Sequence, residues 1–176
     1  MKAEVAAEAA EAGCDLINDV SGLSMTDEML SVIKNTGLCC CLMHNKREAV
    51  YNDFRKDMIT ELQMIADRAL KAGINRDRII LDPGVGFAKS YEQNLKVLGS
   101  LYDYRSLGYP LLLGASRKSV IGLTLDLPVS ERLEGTLAAT AAAVYAGCSF
   151  VRVHDVRENF RFIRMLEAVR GCAAGE

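Results

Sequence analysis

Ile79-Ile80-Leu81-Asp82-Pro83-Gly84-Val85-Gly86-Phe87 runs from an apolar strand through a carboxylate into a glycine-rich turn. What flanks it decides the fold. Upstream, Phe54, Met58, Leu62, Ile65 and Leu70 recur at helical spacing along a segment that Gly73 ends. Downstream, a second helix is expected from about Tyr91 to Tyr102, so the strand Arg78 to Asp82 lies between two helices. The same alternation fills the chain. Strands are expected at Asp15 to Val20, Leu38 to Met43, Pro110 to Gly114 and Ser149 to Val153. The remaining helices are an opening one through Ala3, Val5, Ala6, Ala9 and Ala10 stopped at Gly13, then Asp27 to Asn35 begun at Thr26. After a long loop come an Ala-rich helix from Ser130 to Ala146 and a last one from Val156 to Arg170, with Asp155 and Glu158 spaced as a capping box. Strict alternation of this kind means parallel strands joined by helical crossovers.

The centres of the five apolar runs fall near residues 17, 40, 80, 112 and 151, a mean spacing of about 33 residues, which suits a strand-plus-helix unit. Five units use up the 176 residues. A closed eight-unit barrel normally takes about 250 residues, so the chain is short of one by about three units. Either the fold is a smaller open parallel sheet, or the chain is the latter part of something larger.

Composition is that of an ordinary globular chain: 50% hydrophobic, 25% charged, three prolines. One domain, residues 1–176, is expected. The net charge is −2 and the basic residues are scattered, which offers no electrostatic footprint for nucleic acid or a membrane surface. The longest uncharged stretch, Gly135 to Val151, is broken by Gly147-Cys148-Ser149 and does not suit a membrane span. The opening residues Met1-Lys2-Ala3-Glu4 lack the pattern of a signal peptide, so a cytoplasmic location is expected. The six cysteines form no C-x-x-C pair and read as reduced thiols packed as small hydrophobes.

In parallel folds of this class functional groups gather at the carboxyl ends of the strands. Here those ends read Asn18-Asp19, His44-Asn45, Asp82-Pro83-Gly84, Ser116-Arg117-Lys118 and Arg152 with His154-Asp155. Asn18 interrupts an apolar run, where an amide must be satisfied by backbone or by a ligand such as a heterocycle edge. Asp82 has two readings: acceptor of two N–H bonds from a pyrimidine-like edge, or cap of its own loop. Arg152 and His154, two apart on a strand, point the same way. With Ser116-Arg117-Lys118 they would supply the cations that a phosphate or diphosphate leaving group needs. His44 reads more simply as structural. A Walker loop and a G-x-G-x-x-G fingerprint are both absent, and no second carboxylate stands at metal-ligand spacing from Asp82.

Taken in order, Asn18-Asp19-Val20-Ser21-Gly22, Met43-His44-Asn45, Asp82-Pro83-Gly84-Val85-Gly86-Phe87-Ala88-Lys89, Gly114-Ala115-Ser116-Arg117-Lys118-Ser119, Glu134-Gly135-Thr136 and Arg152-Val153-His154-Asp155-Val156 resemble the dihydropteroate synthase family. The resemblance implies an α/β fold, a partial eight-stranded (β/α) TIM barrel with units four to eight present. It implies joining of p-aminobenzoate to a dihydropterin methyl diphosphate, with release of pyrophosphate. Carried over, Asn18, Met43, Asp82 and Lys118 look like pterin contacts. Arg152 and His154 look like the diphosphate site, and Gly86, Phe87 and Ser116 like part of the p-aminobenzoate surface. Lys118, Arg152 and His154 would be the catalytic set. The family's first three strands, and the Asn-x-Thr-Pro-Asp-Ser-Phe loop that holds Mg²⁺ in it, have no counterpart here. Met1 falls where the third helix would begin, so the chain itself is expected to supply no metal ligand and little turnover alone. A homodimer through the C-terminal helices is also implied. The alternatives are an inactive fragment of such an enzyme, or the pterin-binding domain of a methyltransferase; the latter expels no diphosphate and has no need of the Arg152 and His154 pair.

Overall fold

The computed structural model describes residues 2–24 and 27–173. Five strands, β1 (Leu16–Asp19), β2 (Cys39–Met43), β3 (Ile79–Asp82), β4 (Leu112–Leu113) and β5 (Phe150–Val151), alternate with helices. The helices are α1 (Ala3–Glu11), α2 (Asp27–Thr36), α3 (Phe54–Lys71), α4 (Tyr91–Gly99), α5 (Ser119–Leu125), α6 (Leu133–Ala146) and α7 (Val156–Ala173). All strand pairs are parallel, with Asn18 beside Cys41, Met43 beside Asp82, and Leu113 beside Val151. A bridge between Leu81 and Leu111 joins the first three strands to the last two, so the spatial order follows the chain. Sequential parallel order with helices between is the barrel-type winding that the strand–helix alternation predicts.

The strands' alternation sorts their residues onto two faces. Ile17, Cys40, Leu42, Ile79, Leu81, Leu111 and Leu113 point to the helices and form the main core with Met58, Leu62, Ala66, Val97, Leu101 and Tyr104. Leu42, Leu62 and Leu81 are fully buried there, each worth roughly 1.5–3 kcal/mol of burial. The opposite face holds a much smaller apolar set, Cys41, Ile80 and Leu112, with Leu16 packed against it. On the same face Asn18 lies level with Cys41 and Ile80, and one step further toward the carboxyl ends Met43 stands in register with Asp82. β1 and β5 have no further strand along their outer edges among the described residues, and Phe150 stays half exposed beside the second of these edges.

Most elements fall within two residues of expectation. The expected start of α2 at Thr26 lies outside the described residues. Helix α4 stops at Gly99 and tightens into a 3₁₀ turn over Leu101–Leu107, which buries Leu101, Tyr104 and Leu107 under α3 and α6. The stretch expected as a long loop after β4 contains α5. The Ala-rich helix begins at Leu133, because Arg132 departs from helical geometry and turns its guanidinium back onto the carbonyls of Leu127 and Arg117. All six cysteines are free thiols; Cys40 and Cys41 are fully buried, and burial pushes both up to about 12.

Candidate active site at the strand ends

The loop after β3 is held almost group by group. Asp82, itself buried, accepts the Gly84 amide at 2.7 Å. The Gly86 amide donates to Asn94 Oδ1 at 2.6 Å, and the Ala88 carbonyl accepts Tyr51 Oη at 3.0 Å. Lys89 Nζ donates to the carbonyls of Gly84 and Phe87, and Lys118 Nζ donates to that of Val85. Gly84 has φ +68°, and a Cβ there would lie 2.1 Å from the His44 carbonyl oxygen, so only glycine lets this loop lie against the end of β2. Among the described residues, three of the four non-glycine residues with positive φ, Leu23, Ala88 and Arg117, lie in loops that leave strands at this end. Backbone strain of that kind collects where loops are shaped for a ligand.

Asp82 stands among cations. Burial raises its pKa, while the Gly84 amide and the nearby Lys118, Arg152 and Lys89 work the other way. Burial likewise draws Lys118 down to about 8, with Asp82 opposing and Arg152 assisting. The Lys118 side chain lies across Gly86, where a Cβ would meet its Cδ at 3.1 Å, and its Nζ sits 4.7 Å from the centre of the Phe87 ring. Arg152 passes over Gly114, whose missing side chain leaves the space: a Cβ there would be 3.2 Å from the guanidinium. Asn18 Oδ1 is the one buried side-chain polar atom among the described residues with no hydrogen-bond partner. A buried acceptor left unpaired costs about 1–3 kcal/mol, which a ligand donor would recover.

Ser116 is buried, and its hydroxyl is taken up by His154: Oγ lies 2.9 Å from Nδ1 and accepts the His154 backbone amide at 3.2 Å. Arg117 does not join the cations at the rim. Its guanidinium grips both oxygens of Asp155, at 3.1 and 2.5 Å, while its backbone amide donates to Thr136 Oγ1. Asp155 is held below the usual carboxylate range by the hydrogen bonds from Arg117. The basic side chains at this rim are thus Lys118, Arg152 and His154, with Arg117 taken up by Asp155, rather than two complete basic clusters.

Beneath the loop, His44 is buried between two charged groups. Nε2 is 2.5 Å from Glu61 and Nδ1 is 3.0 Å from Lys89 Nζ. Burial, assisted by Lys89, pulls His44 down to about 4, and burial pulls Lys89 to about 7. Glu61 is partly buried, but hydrogen bonds from Lys46 and His44 outweigh that and keep its pKa low. Lys46 in turn lies 3.6 Å above the Tyr51 ring. Asp19, though at a strand end, points to the helix side and fastens the loop after β1 through Ser21 and Leu23.

Asn18, Met43, Asp82 and Arg152 thus share the face away from the helices, with Lys118 and His154 reaching the same rim, while Gly86 and Phe87 crown the loop beside Lys118. Asn94, Tyr51 and Lys89 were not expected as parts of the site. A polar Asn94 on the buried face of α4 was the available signal. One carboxylate among three cations is no divalent-cation centre, and among the described residues no group of three or more His, Cys, Asp or Glu side chains is placed to hold a metal.

The strand ends thus bring an unpartnered buried amide oxygen, a buried carboxylate and several cations onto one face of a parallel sheet, a set suited to a polar heterocycle with an anionic group. Residues 1–154 match the family model described as pterin binding enzyme, and the chain belongs to that family. The dihydropteroate synthase of Clostridium beijerinckii is 47% identical over 169 residues, covering 96% of this chain and 63% of the relative. That of Bacillus subtilis is 45% identical over 168 residues, covering 96% and 59%. The solved dihydropteroate synthase of Clostridium difficile, in the presence of pteroic acid, superposes with a TM-score of 0.92 at 43% identity, over 96% of this chain and 64% of that one. The Thermus thermophilus enzyme in complex with 4-aminobenzoate gives 0.89 at 36% identity, over 95% and 67%. The chain therefore spans about three fifths of the length of the curated relatives quoted.

Proposed function

We propose that this chain carries the pterin pocket and diphosphate site of a dihydropteroate synthase, which condenses p-aminobenzoate with a dihydropterin methyl diphosphate to give dihydropteroate and pyrophosphate. The observation that carries the reading is Asn18 Oδ1, buried and unpartnered on the same face as the Asp82 carboxylate. Two acceptors on one face, on strands either side of β2, suit the N–H groups of a pterin laid across it. As the bond from the pterinylmethyl carbon to the leaving oxygen breaks, positive charge builds on the ring and negative charge on the diphosphate. Asp82 stabilises the first, and Arg152, His154 and Lys118 the second. The p-aminobenzoate amine then forms the new C–N bond and gives up a proton. That step needs orientation, which the fixed loop bearing Gly86 and Phe87 provides, more than a protein nucleophile.

A pterin-binding methyltransferase domain is the weaker reading, because methyl transfer leaves the Arg152 and His154 pair without a task. Mg²⁺ belongs to the family resemblance, but the residues around Asp82 do not fit a divalent cation, and no step here runs through it. Pairing into a homodimer through the C-terminal helices is part of the same reading, supported by the exposed Val156, Phe160, Met165 and Val169 along α7. So is a cytoplasmic place; no described helix is long and apolar enough to cross a membrane. The test is calorimetric titration of pteroic acid into the 176-residue chain and its Asp82→Asn variant. Binding weakened about tenfold or more by the substitution supports the pocket; equal affinity in both proteins would remove Asp82 from it.

A further inference from the structure

We propose that Ser116 is a positioning residue that locks His154 in the tautomer with its proton on Nε2, so that the ring presents a donor to the leaving diphosphate. The second half rests on the diphosphate reading above; the lock itself rests on geometry alone. The Ser116 hydroxyl has one proton to give and two lone pairs. One lone pair is taken by the backbone N–H of His154 at 3.2 Å. The proton has a single acceptor among the described residues, His154 Nδ1 at 2.9 Å, and Ser116 is only 6% exposed, so water is no ready substitute. The opposite tautomer could donate its Nδ1 proton to the second lone pair, but would then strand the hydroxyl proton without an acceptor in a buried place. With Nδ1 accepting, the ring proton sits on Nε2. The other tautomer would turn a lone pair toward anionic oxygens.

The contact is reinforced by the residues next along the chain. Arg117 follows Ser116, Asp155 follows His154, and the Arg117 guanidinium grips Asp155 through both oxygens. Two consecutive pairs therefore tie the loop after β4 to the end of β5, and the ion pair sets the distance at which the hydroxyl meets the imidazole. Arg117 takes φ +56° to make that reach, while Arg132 holds its carbonyl and Thr136 its amide.

The chain has two histidines, so its imidazole nitrogens can be read directly by long-range ¹H–¹⁵N correlation on histidine-labelled protein at alkaline pH, with a His44→Gln variant to assign the signals. In the wild type, His154 is expected to show an unprotonated Nδ1 and a protonated Nε2. Ser116→Ala should move both shifts toward the tautomer average, and Ser116→Thr, which keeps the hydroxyl, should restore them. A protonated Nδ1 in the wild type, or an unchanged pattern in Ser116→Ala, overturns the lock even if one variant folds poorly, since the wild-type spectrum alone can refute it. Inorganic pyrophosphate is then titrated into the same proteins. Affinity lowered about threefold to tenfold in Ser116→Ala and recovered in Ser116→Thr supports the donor role. Equal affinity in all three overturns that role while the spectra decide the lock, and a wild type that binds no pyrophosphate counts against the diphosphate reading itself.

Discussion

Lys89 Nζ lies 3.0 Å from His44 Nδ1, and this contact fastens the glycine-rich loop to the end of β2. The ammonium's three hydrogens meet three acceptors: the Gly84 carbonyl at 3.1 Å, the Phe87 carbonyl at 2.9 Å, and the imidazole. The imidazole can accept because its other nitrogen donates to Glu61. Lys89→Met fills similar space without any donor. It should lower unfolding free energy by about 1–3 kcal/mol in urea titrations, and speed hydrogen exchange at the loop amides, Gly86 and Phe87 among them. An unchanged midpoint with unchanged exchange would mean that Asn94, Tyr51 and Lys118 hold the loop unaided.

The same burial makes His44 a source of acid sensitivity. An unfolded histidine titrates near 6.5, whereas the folded one is pulled down to about 4. Between those values the unfolded chain binds a proton that the native one refuses. Stability contributed by the neutral ring is therefore full above 6.5 and is lost as pH falls toward 4. Urea midpoints of the wild type should drop more steeply between pH 6.5 and 4.5 than those of His44→Gln. Parallel slopes would show that His44 does not govern this window.

The strands and their order were legible because each apolar run ends in polar residues and is followed by a helix with ordinary start and stop residues. Asn18 and Asp82 were legible as polar residues at strand ends, whereas Met43 rested on the family resemblance, because the apolar runs Cys39 to Met43 and Ile79 to Leu81 show no alternation that would assign faces. Other features were not legible, for physical reasons. Helix α5 has seven residues, about two turns, too few for a 3.6-residue period to stand out. Arg117 reads as a free cation until Asp155, 38 residues away, is seen to neutralise it. Ser116 reads as a ligand contact, and nothing in its neighbours along the chain reveals that its hydroxyl meets His154, 38 residues away. Tyr51 and Asn94 act on backbone groups of a loop 37 and 8 residues away, and no side-chain pattern marks a carbonyl or an amide as a partner.

Asn94 offers a sharper probe of the loop than Lys89, because it holds one amide. Its Oδ1 accepts the Gly86 amide, while its Nδ2 bonds the carbonyls of Lys89 and Ser90 at the start of α4. Asn94→Asp keeps the acceptor and loses the donors; Asn94→Leu loses both. Protection of the Gly86 amide in hydrogen exchange should survive the first substitution and fall in the second. If the loop sets the p-aminobenzoate surface, pteroic acid affinity should follow the same order. Equal exchange at Gly86 in both variants would place the control elsewhere.

Arg152 and Lys118 should separate the two ends of the proposed substrate. Arg152 lies on the strand face over Gly114 and has no carboxylate partner among the described ion pairs, so its charge is available to an anion. Arg152→Ala should weaken pyrophosphate binding about tenfold or more and affect pteroic acid, which has no diphosphate, far less. Lys118→Ala should weaken both, because its Nζ also bonds the Val85 carbonyl and lies over Phe87. Calorimetry with each ligand separates the cases, and a uniform effect of Arg152→Ala on both ligands would argue against a dedicated diphosphate contact.

Gly84 and Gly37 form a matched pair for measuring how tightly β2 and the loop after β3 approach. Both have positive φ, +68° and +64°, so alanine pays the left-handed penalty of about 1–2 kcal/mol at either position. Around Gly37 nothing lies within 4 Å of the added Cβ, whereas at Gly84 it would stand 2.1 Å from the His44 carbonyl oxygen. That oxygen is backbone and belongs to the residue whose amide is already bonded to the Asp82 carbonyl at 2.8 Å, so it cannot move aside without opening the β2–β3 end. Gly37→Ala should cost only the conformational penalty. Gly84→Ala should cost at least about 2 kcal/mol more, within the range of overpacking effects, and should also weaken pteroic acid binding by shifting Asp82. Urea midpoints of the two variants provide the comparison, and equal losses would show that the loop has room to retreat from β2.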